Sequence, residues 1–328
     1  MKIKLFLVSL LLVVSQAASI EKSPCVLETK KIHLRGFPKA FNPSILKVDK
    51  GYLMTFRQNL KTKKGASEVG IVLLNDQFEP ITKPQLLNTR FEEDKAPPQA
   101  QDARLIEAGG KIYILYNDNV DKVVYIKERR DMFLAELTPG DNGYVVEKPT
   151  KLVYPERLKK QRWEKNWVPF AWKDTLLLGY SLMPHLILTP EDQGVCRLFN
   201  QSITRVLWKW GTLSGGTPAQ LVDGNYLAFF HSSIYSQSKL SKYREMKHYY
   251  MGAYTFSPEP PFNVLAMSPT PLMHPDFYKS GKHIRAIFPG GYVVEDSKIH
   301  MVYGKNDCEM WVVTLDKEML LNSLQALK

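Results

Sequence analysis

The chain has 328 residues, 44% hydrophobic and 11% aromatic, with a formal net charge of +11 and three cysteines. That apolar content is ample for a sizeable core. Cys25, Cys196 and Cys308 allow at most one disulfide and contain no C-x-x-C pair, which excludes a disulfide framework and a zinc-finger signature. The basic residues fall in short scattered clusters with no recognition motif, so no nucleic-acid partner is expected, and an anionic substrate or surface fits the charge better.

In chain order, Lys2 and Lys4 precede an uncharged apolar run from Leu5 to Val14, followed by the small residues Ser15 to Ser19. This order predicts a secretory signal peptide over residues 1–18 and a secreted or periplasmic protein, with an uncleaved anchor as the alternative. The run is too short for a bilayer span and no later stretch is apolar enough, so no stable membrane insertion is expected. Residues 19–328 are expected to form a single domain.

One unit then recurs: a polar residue, a short apolar strand, a tight turn, a second apolar strand and a polar residue. The copies span 42–57, 102–117, 166–181, 216–231 and 289–304, each 15 positions from first to last residue. Asp, Gly and Lys turns such as Asp49-Lys50-Gly51 and Asp223-Gly224-Asn225 sit between aromatic and aliphatic runs, which is the signature of a hairpin. Third strands are predicted at 71–74, 132–137, 250–256 and 310–315, fourth strands at 83–87 and 148–153, and a short helix at 317–327. Four strands per unit repeated about an axis give an all-β, five-bladed β-propeller, with a β-sandwich as the competing arrangement.

An antiparallel hairpin brings its first and last residues together. If the innermost hairpins share one direction, Asn42, Arg57, Asp102, Arg104, Asn117, Asn166 and His231 gather at one mouth, and the turns face the other. A mouth with one carboxylate, two arginines, a histidine and several amides is a candidate small-molecule site. Trp163 and Trp167 are placed there, as aromatic faces for a sugar ring; Trp172 and Tyr303 are assigned to the core.

Gln101-Asp102-Ala103-Arg104-Leu105 resembles the Glu-Asp-Pro-Arg-Ile segment of glycoside hydrolase family 130, the mannoside phosphorylases and related β-mannosidases. Gly215-Gly216-Thr217-Pro218-Ala219, Leu227 to His231, and Phe288-Pro289-Gly290-Gly291 with Tyr303 to Asp307 are similar to later segments of that family, in the same order. The resemblance implies that Asp102 is the general acid. It further implies that Arg57, Arg104, Lys165 and His231 lie where phosphorylases hold inorganic phosphate. The chain departs from the pattern in three places: Ala103 replaces a proline, Asn166 stands where aspartate is frequent, and Lys305-Asn306 replaces two small residues.

Inverting glycoside cleavage needs an acid and an activated nucleophile on opposite sides of the bond. Phosphate carries its own negative charge, whereas water needs a base, for which Glu164 and Asp307 are the candidates. Export favours water, because a sugar phosphate is of most use inside a cell. The expected partner is an oligosaccharide or glycan, with inorganic phosphate as an alternative co-substrate. No cofactor or metal is expected, since no His/carboxylate cluster has ligand spacing; a calcium ion on the propeller axis stays open. A non-catalytic glycan-binding propeller and a surface interaction protein that uses its basic exterior are the rival readings.

Overall fold

The computed structural model describes residues 23–60, 66–90, 99–119, 130–141, 143–157, 163–204, 206, 208–237, 243–273 and 286–327. Residues 1–18, predicted as a signal peptide, lie outside these residues. Five antiparallel sheets surround one axis. Blade I comprises Phe41–Val48, Gly51–Asn59, Ser67–Leu74 and Gln85–Leu86. Blade II comprises Gln101–Ala108, Lys111–Asp118, Asp131–Gly140 and Thr150–Leu152, with Gly143–Val146 paired beside its third strand. Blade III comprises Val168–Trp172, Thr175–Leu182, His185–Pro190 and Cys196–Ser202. In blade IV, Thr212–Gly215 and Gln220–Val222 both pair with Asn225–Ser236, followed by Met246–Phe256, Val264–Met267 and Gln325–Ala326. Blade V comprises Ile287–Glu295, Lys298–Lys305, Glu309–Asp316 and the chain's first described strand, Val26–Ile32.

The inner hairpins close as their turn residues dictate. In register, Ala108 faces Lys111, Trp172 faces Thr175 and Val222 faces Asn225, leaving two-residue loops. Both loop residues are left-handed in Gly109-Gly110, Lys173-Asp174 and Asp223-Gly224. That is the turn whose twist matches the flanking strands.

Period-two alternation sends one face of each blade to the preceding blade and the other to the next. Ile45, Met54 and Phe56 of blade I pack on Val293, Val302 and Val312 of blade V. Leu53, Val69 and Ile71 pack on Leu105, Ile114 and Phe133 of blade II. Leu115 and Met132 meet Leu178 and Leu188 of blade III. Phe170 and Ile187 meet Tyr226 and Phe256 of blade IV. Leu227, Phe229 and Met251 meet Tyr292, Met301 and Val313 of blade V and complete the ring. Apolar burial therefore sits between blades and leaves the two ends of the axis to polar groups.

Two differences from the expected elements have physical causes. The terminal helix is only Lys317–Ser323, because Gln325–Ala326 straightens to pair with Val264–Met267. Trp167 is buried between blades II and III, with its ring edge-on to Tyr180, and does not line the mouth. Cys25 and Cys196 are buried in different blade interfaces and all three cysteines are free thiols. Among the described residues no helix is long and apolar enough to cross a membrane.

Candidate active site

The inner strands of blades I and II do not enter their sheets smoothly. Register breaks between Phe41 and Ser44 and between Gln101 and Arg104. At each break one residue is left-handed: Asn42 with φ 47° and Asp102 with φ 54°. Asn166, at the equivalent place before the inner strand of blade III, has φ 63°. A bulge of this kind re-aims a side chain. The conformation costs an L-residue roughly 1–2 kcal/mol, least for Asn and Asp, whose short polar side chains bond locally. Their side chains meet across the blades: Asn42 Nδ2 donates to Asp102 Oδ1 at 2.8 Å.

Asp102 is held from several directions. Its side chain is 10% exposed and its Oδ1 lies 3.5 Å from an Arg57 Nη1. Arg57 stacks its guanidinium on Phe41, 4.8 Å from the ring centre. The carbonyl of the next residue, Ala103, accepts from Thr55 Oγ1 of blade I at 3.0 Å. Burial alone would push the Asp102 carboxyl up. Arg57, the Asn42 amide, Arg104 and Lys165 outweigh it and hold the carboxyl below its ordinary value. Asp102 is thus ionised at neutral pH in the free protein.

Arg104 has no exposed surface. Its Nε donates to the Gly216 carbonyl of blade IV, one Nη to the Asp102 carbonyl at 2.9 Å, and the other to Asn166 Oδ1 at 3.3 Å. Its guanidinium also lies over Phe288 of blade V, 5.3 Å from the ring centre. Burial lowers its pKa to about 10, against the opposing pull of Asp102, so the group stays charged at neutral pH. Asn166 uses both ends of its amide, accepting from Arg104 and donating to Ser214 Oγ at 3.0 Å. An ionised aspartate at this position would have no N–H to donate to Ser214.

His231 pairs in register with Ser214 and packs on Phe288 and Tyr249, with ring centres 4.9 and 5.9 Å away. Burial, then the charges of Arg104 and Lys165, push its imidazole down to about 3, so it is neutral. Three buried polar atoms at this mouth have no hydrogen-bond partner among the described residues: Asn42 Oδ1, Arg57 Nε and His231 Nδ1. Such atoms are rare in folded proteins and collect where a ligand completes the bonding.

The structure therefore brings together Asn42, Arg57, Asp102, Arg104, Asn166 and His231. Lys165 is exposed beside them, its amine 5.0 Å from the centre of the exposed Trp163 ring. Asn117 is fully buried behind them, donating to the Gln101 carbonyl and accepting from Arg130, so it supports the strand end and faces no opening. Glu164 accepts from Trp167 Nε1 at 3.1 Å and from the Tyr180 hydroxyl at 3.2 Å, one donor on each carboxylate oxygen. Asp307 is exposed in the left-handed turn between the second and third strands of blade V, at the same end of the molecule. Phe41 and Ser214 also belong to the site and are not singled out by the sequence reading, whereas Phe288 comes from a quoted motif. Phe41 and Ser214 directly precede or flank quoted motif residues, so strand-end position was the available signal. Among the described residues no group of three His, Cys, Asp or Glu side chains could hold a metal ion.

A closed five-bladed ring with a buried carboxylate among cations at one end is the layout of a glycoside-active propeller. More narrowly, the chain belongs to glycoside hydrolase family 130, whose model, described as beta-1,4-mannooligosaccharide phosphorylase, matches residues 16–326. Solved structures of similar fold include β-1,2-mannobiose phosphorylase from Listeria innocua in complex with β-1,2-mannobiose, at 16% identity and TM-score 0.58, covering 90% of this chain and 92% of that one. MPT-4, a mannose phosphorylase from Leishmania mexicana in complex with phosphate ion, is 10% identical with TM-score 0.61 and 92% of each chain covered. A glycosyl hydrolase from Bacteroides ovatus is 14% identical with TM-score 0.60, again with 92% of each chain covered. No curated protein matches the chain.

Proposed function

We propose that the protein is an exported enzyme that cleaves a β-mannoside or related glycoside with inversion, Asp102 serving as general acid. The observation that carries this reading is the Asp102 carboxylate at the axis, 3.5 Å from Arg57, beside the unpartnered Arg57 Nε and His231 Nδ1. Arg57, Lys165 and His231 form the anion-holding side of the pocket, and Asn42 orients the acid. The N-terminal segment 1–18 directs export and is removed.

The geometry favours phosphate over water as the attacking group. Phosphate needs cations to hold it and no base, and the mouth is rich in cations. Both oxygens of Glu164 already accept hydrogen bonds, which makes it a poor base. An anion between Arg57 and Lys165 also answers a difficulty of the free protein, in which Asp102 is ionised and so has no proton to give. A bound phosphate cancels part of the positive charge that depresses the carboxyl, raising its pKa as the reactants assemble. Neutral His231 offers the phosphate one hydrogen bond without adding charge.

The test is incubation of the mature protein with mannobioses and mannosylated chitobiose, with and without phosphate. Mannose phosphate formed only when phosphate is present is the expected result. Free mannose released without phosphate assigns water as acceptor. Binding of the sugars with no product under either condition makes the chain a non-catalytic glycan-binding propeller and ends the enzyme reading.

A further inference from the structure

Arg104 is the least accessible charge in the pocket, and its contacts reach four blades. It holds the Asp102 carbonyl in its own blade, the Asn166 side chain of blade III and the Gly216 carbonyl of blade IV, and it lies on the Phe288 ring of blade V. Each of its three nitrogens is directed at a protein acceptor, and no part of the side chain reaches solvent. Arg57 differs on both counts, with a side chain 17% exposed and an unpartnered Nε.

The place where Arg104 grips blade II is the carbonyl of Asp102, a left-handed residue inside a bulge. A strained conformation of this kind persists only when its surroundings over-determine it. Here they do so from both sides. Blade I holds the Asp102 carboxylate through Asn42 and the next carbonyl through Thr55. Arg104 holds the carbonyl of Asp102 itself and anchors it to blades III and IV. The Gly216 end of the grip is equally confined. A Cβ at Gly216 would meet the Phe229 carbonyl and lie 2.8 Å from Pro289 Cγ, so that carbonyl has little freedom to follow a shorter side chain. The residue between, Ala103, has none of the ring rigidity of a proline, leaving these hydrogen bonds to fix the peptide.

We propose that Arg104 is a positioning residue and not an anion ligand: it pins the Asp102 peptide to the far side of the ring, so that the carboxyl points along the axis at the scissile bond. The proposal rests on Asp102 being the acid. It separates two arginines that the sequence pattern groups together. Arg57 meets the reactants, whereas Arg104 sets the geometry of the residue that does.

Arginine-to-lysine substitution discriminates the two roles, because lysine keeps the charge and loses the planar fork that reaches several acceptors at once. R104K and R104Q are both expected to lower kcat on the best mannobiose by about 100-fold, the effect of roughly an ångström of misplacement. Both are expected to leave the phosphate Kd, measured by isothermal titration, within about threefold of wild type, whereas R57Q weakens it at least about tenfold. If the wild type binds no phosphate, KM for the mannobiose takes its place. Near wild-type kcat in R104K, or a phosphate Kd that rises in the Arg104 variants as it does in R57Q, overturns the proposal. So does a lower Tm with full kcat well below melting, which is the mark of a merely structural role. Should the Arg104 variants fail to fold, N166A removes one acceptor of the grip and is expected to lower kcat by about tenfold at unchanged Kd; unchanged kcat there also overturns it. If the wild type turns over no mannoside, the failure belongs to the proposed function. The pin is then read from the carbon-13 titration of the Asp102 carboxyl, assigned with D102N: a shifted midpoint in R104K supports it, and an unchanged one overturns it.

Discussion

The two ends of the inner hairpins are built from the same strands and follow opposite rules. At the turn end, loops such as Asp49-Lys50 and Asp223-Gly224 close by local backbone preference, and their charges pair in water, as in Lys47 with Glu295 and Lys317 with Asp223. At the mouth end, left-handed Asn42, Asp102 and Asn166 turn polar groups inward, and the hydrogen bonds run from blade to blade. Each turn at the first end closes by itself, and the ion pairs that cross between blades there, such as Lys47 of blade I with Glu295 of blade V, are exposed. The second exists only when the ring is closed, because every partner of Asp102 outside its own strand comes from another blade. Chemistry sits at the end where structure is collective.

The sharpest way to break this comparison is at the acid. D102N keeps the shape and the Asn42 contact while removing the exchangeable proton, and is expected to cut kcat on mannobiose by about 100- to 10,000-fold. Undiminished turnover would remove the mouth from the mechanism.

The next test adds one carbon. A Cβ at Gly304 of blade V would collide with the Asn42 side chain and come within 2.7 Å of its backbone nitrogen. G304A is therefore expected to destabilise by about 1–3 kcal/mol in denaturant titration. It should also lower kcat, because it moves the residue that orients Asp102. Loss of stability with kcat intact would show that Asn42 does not steer the acid.

Buried histidines sharpen the comparison through pH. His231 at the mouth is held down to about 3, and His185, whose Nδ1 donates to the Phe262 carbonyl across the interface of blades III and IV, is held down to about 4, in both cases mainly by burial. Each folded value lies below the unfolded value of about 6.5, so between them the unfolded chain binds more protons. Stability is full above the unfolded value and falls as pH drops toward the folded one. H231Q is expected to flatten part of this acid loss in Tm measured from pH 7 to pH 4, leaving the share due to His185. An unaltered slope would mean that His231 is not buried neutral.

The smallest effect belongs to the turn end. K47A breaks an exposed ion pair with Glu295 and is expected to leave both Tm and kcat at wild-type values. A clear loss of activity would contradict the separation of the two ends.

Much of this was legible in the chain. Equal hairpin lengths and Asp/Gly turns located the blades, because both signals are local. The strand-end polar residues Asn42, Arg57, Asp102, Asn166 and His231 do gather at one mouth, whereas Asn117 is buried behind it. What was not legible depends on closure. Nothing local in Gln101-Asp102-Ala103 indicates a bulge. The spacing of Arg57 and Arg104 does not say that one faces the pocket and the other is sealed behind it. Trp167 and Glu164 likewise sit at the predicted strand end, yet they bond to each other beside Tyr180, inside the interface of blades II and III.

The ring's seam carries a last consequence. Val26–Ile32 pairs with Glu309–Asp316, so the first described strand finds its partner four blades further along the chain. Until they pair, both strands are bare edges that invite pairing with another chain. A contact of such long range also forms late and slowly. The molecule's solubility during maturation thus depends on how soon these two strands meet, and removing either one would leave the clasp open.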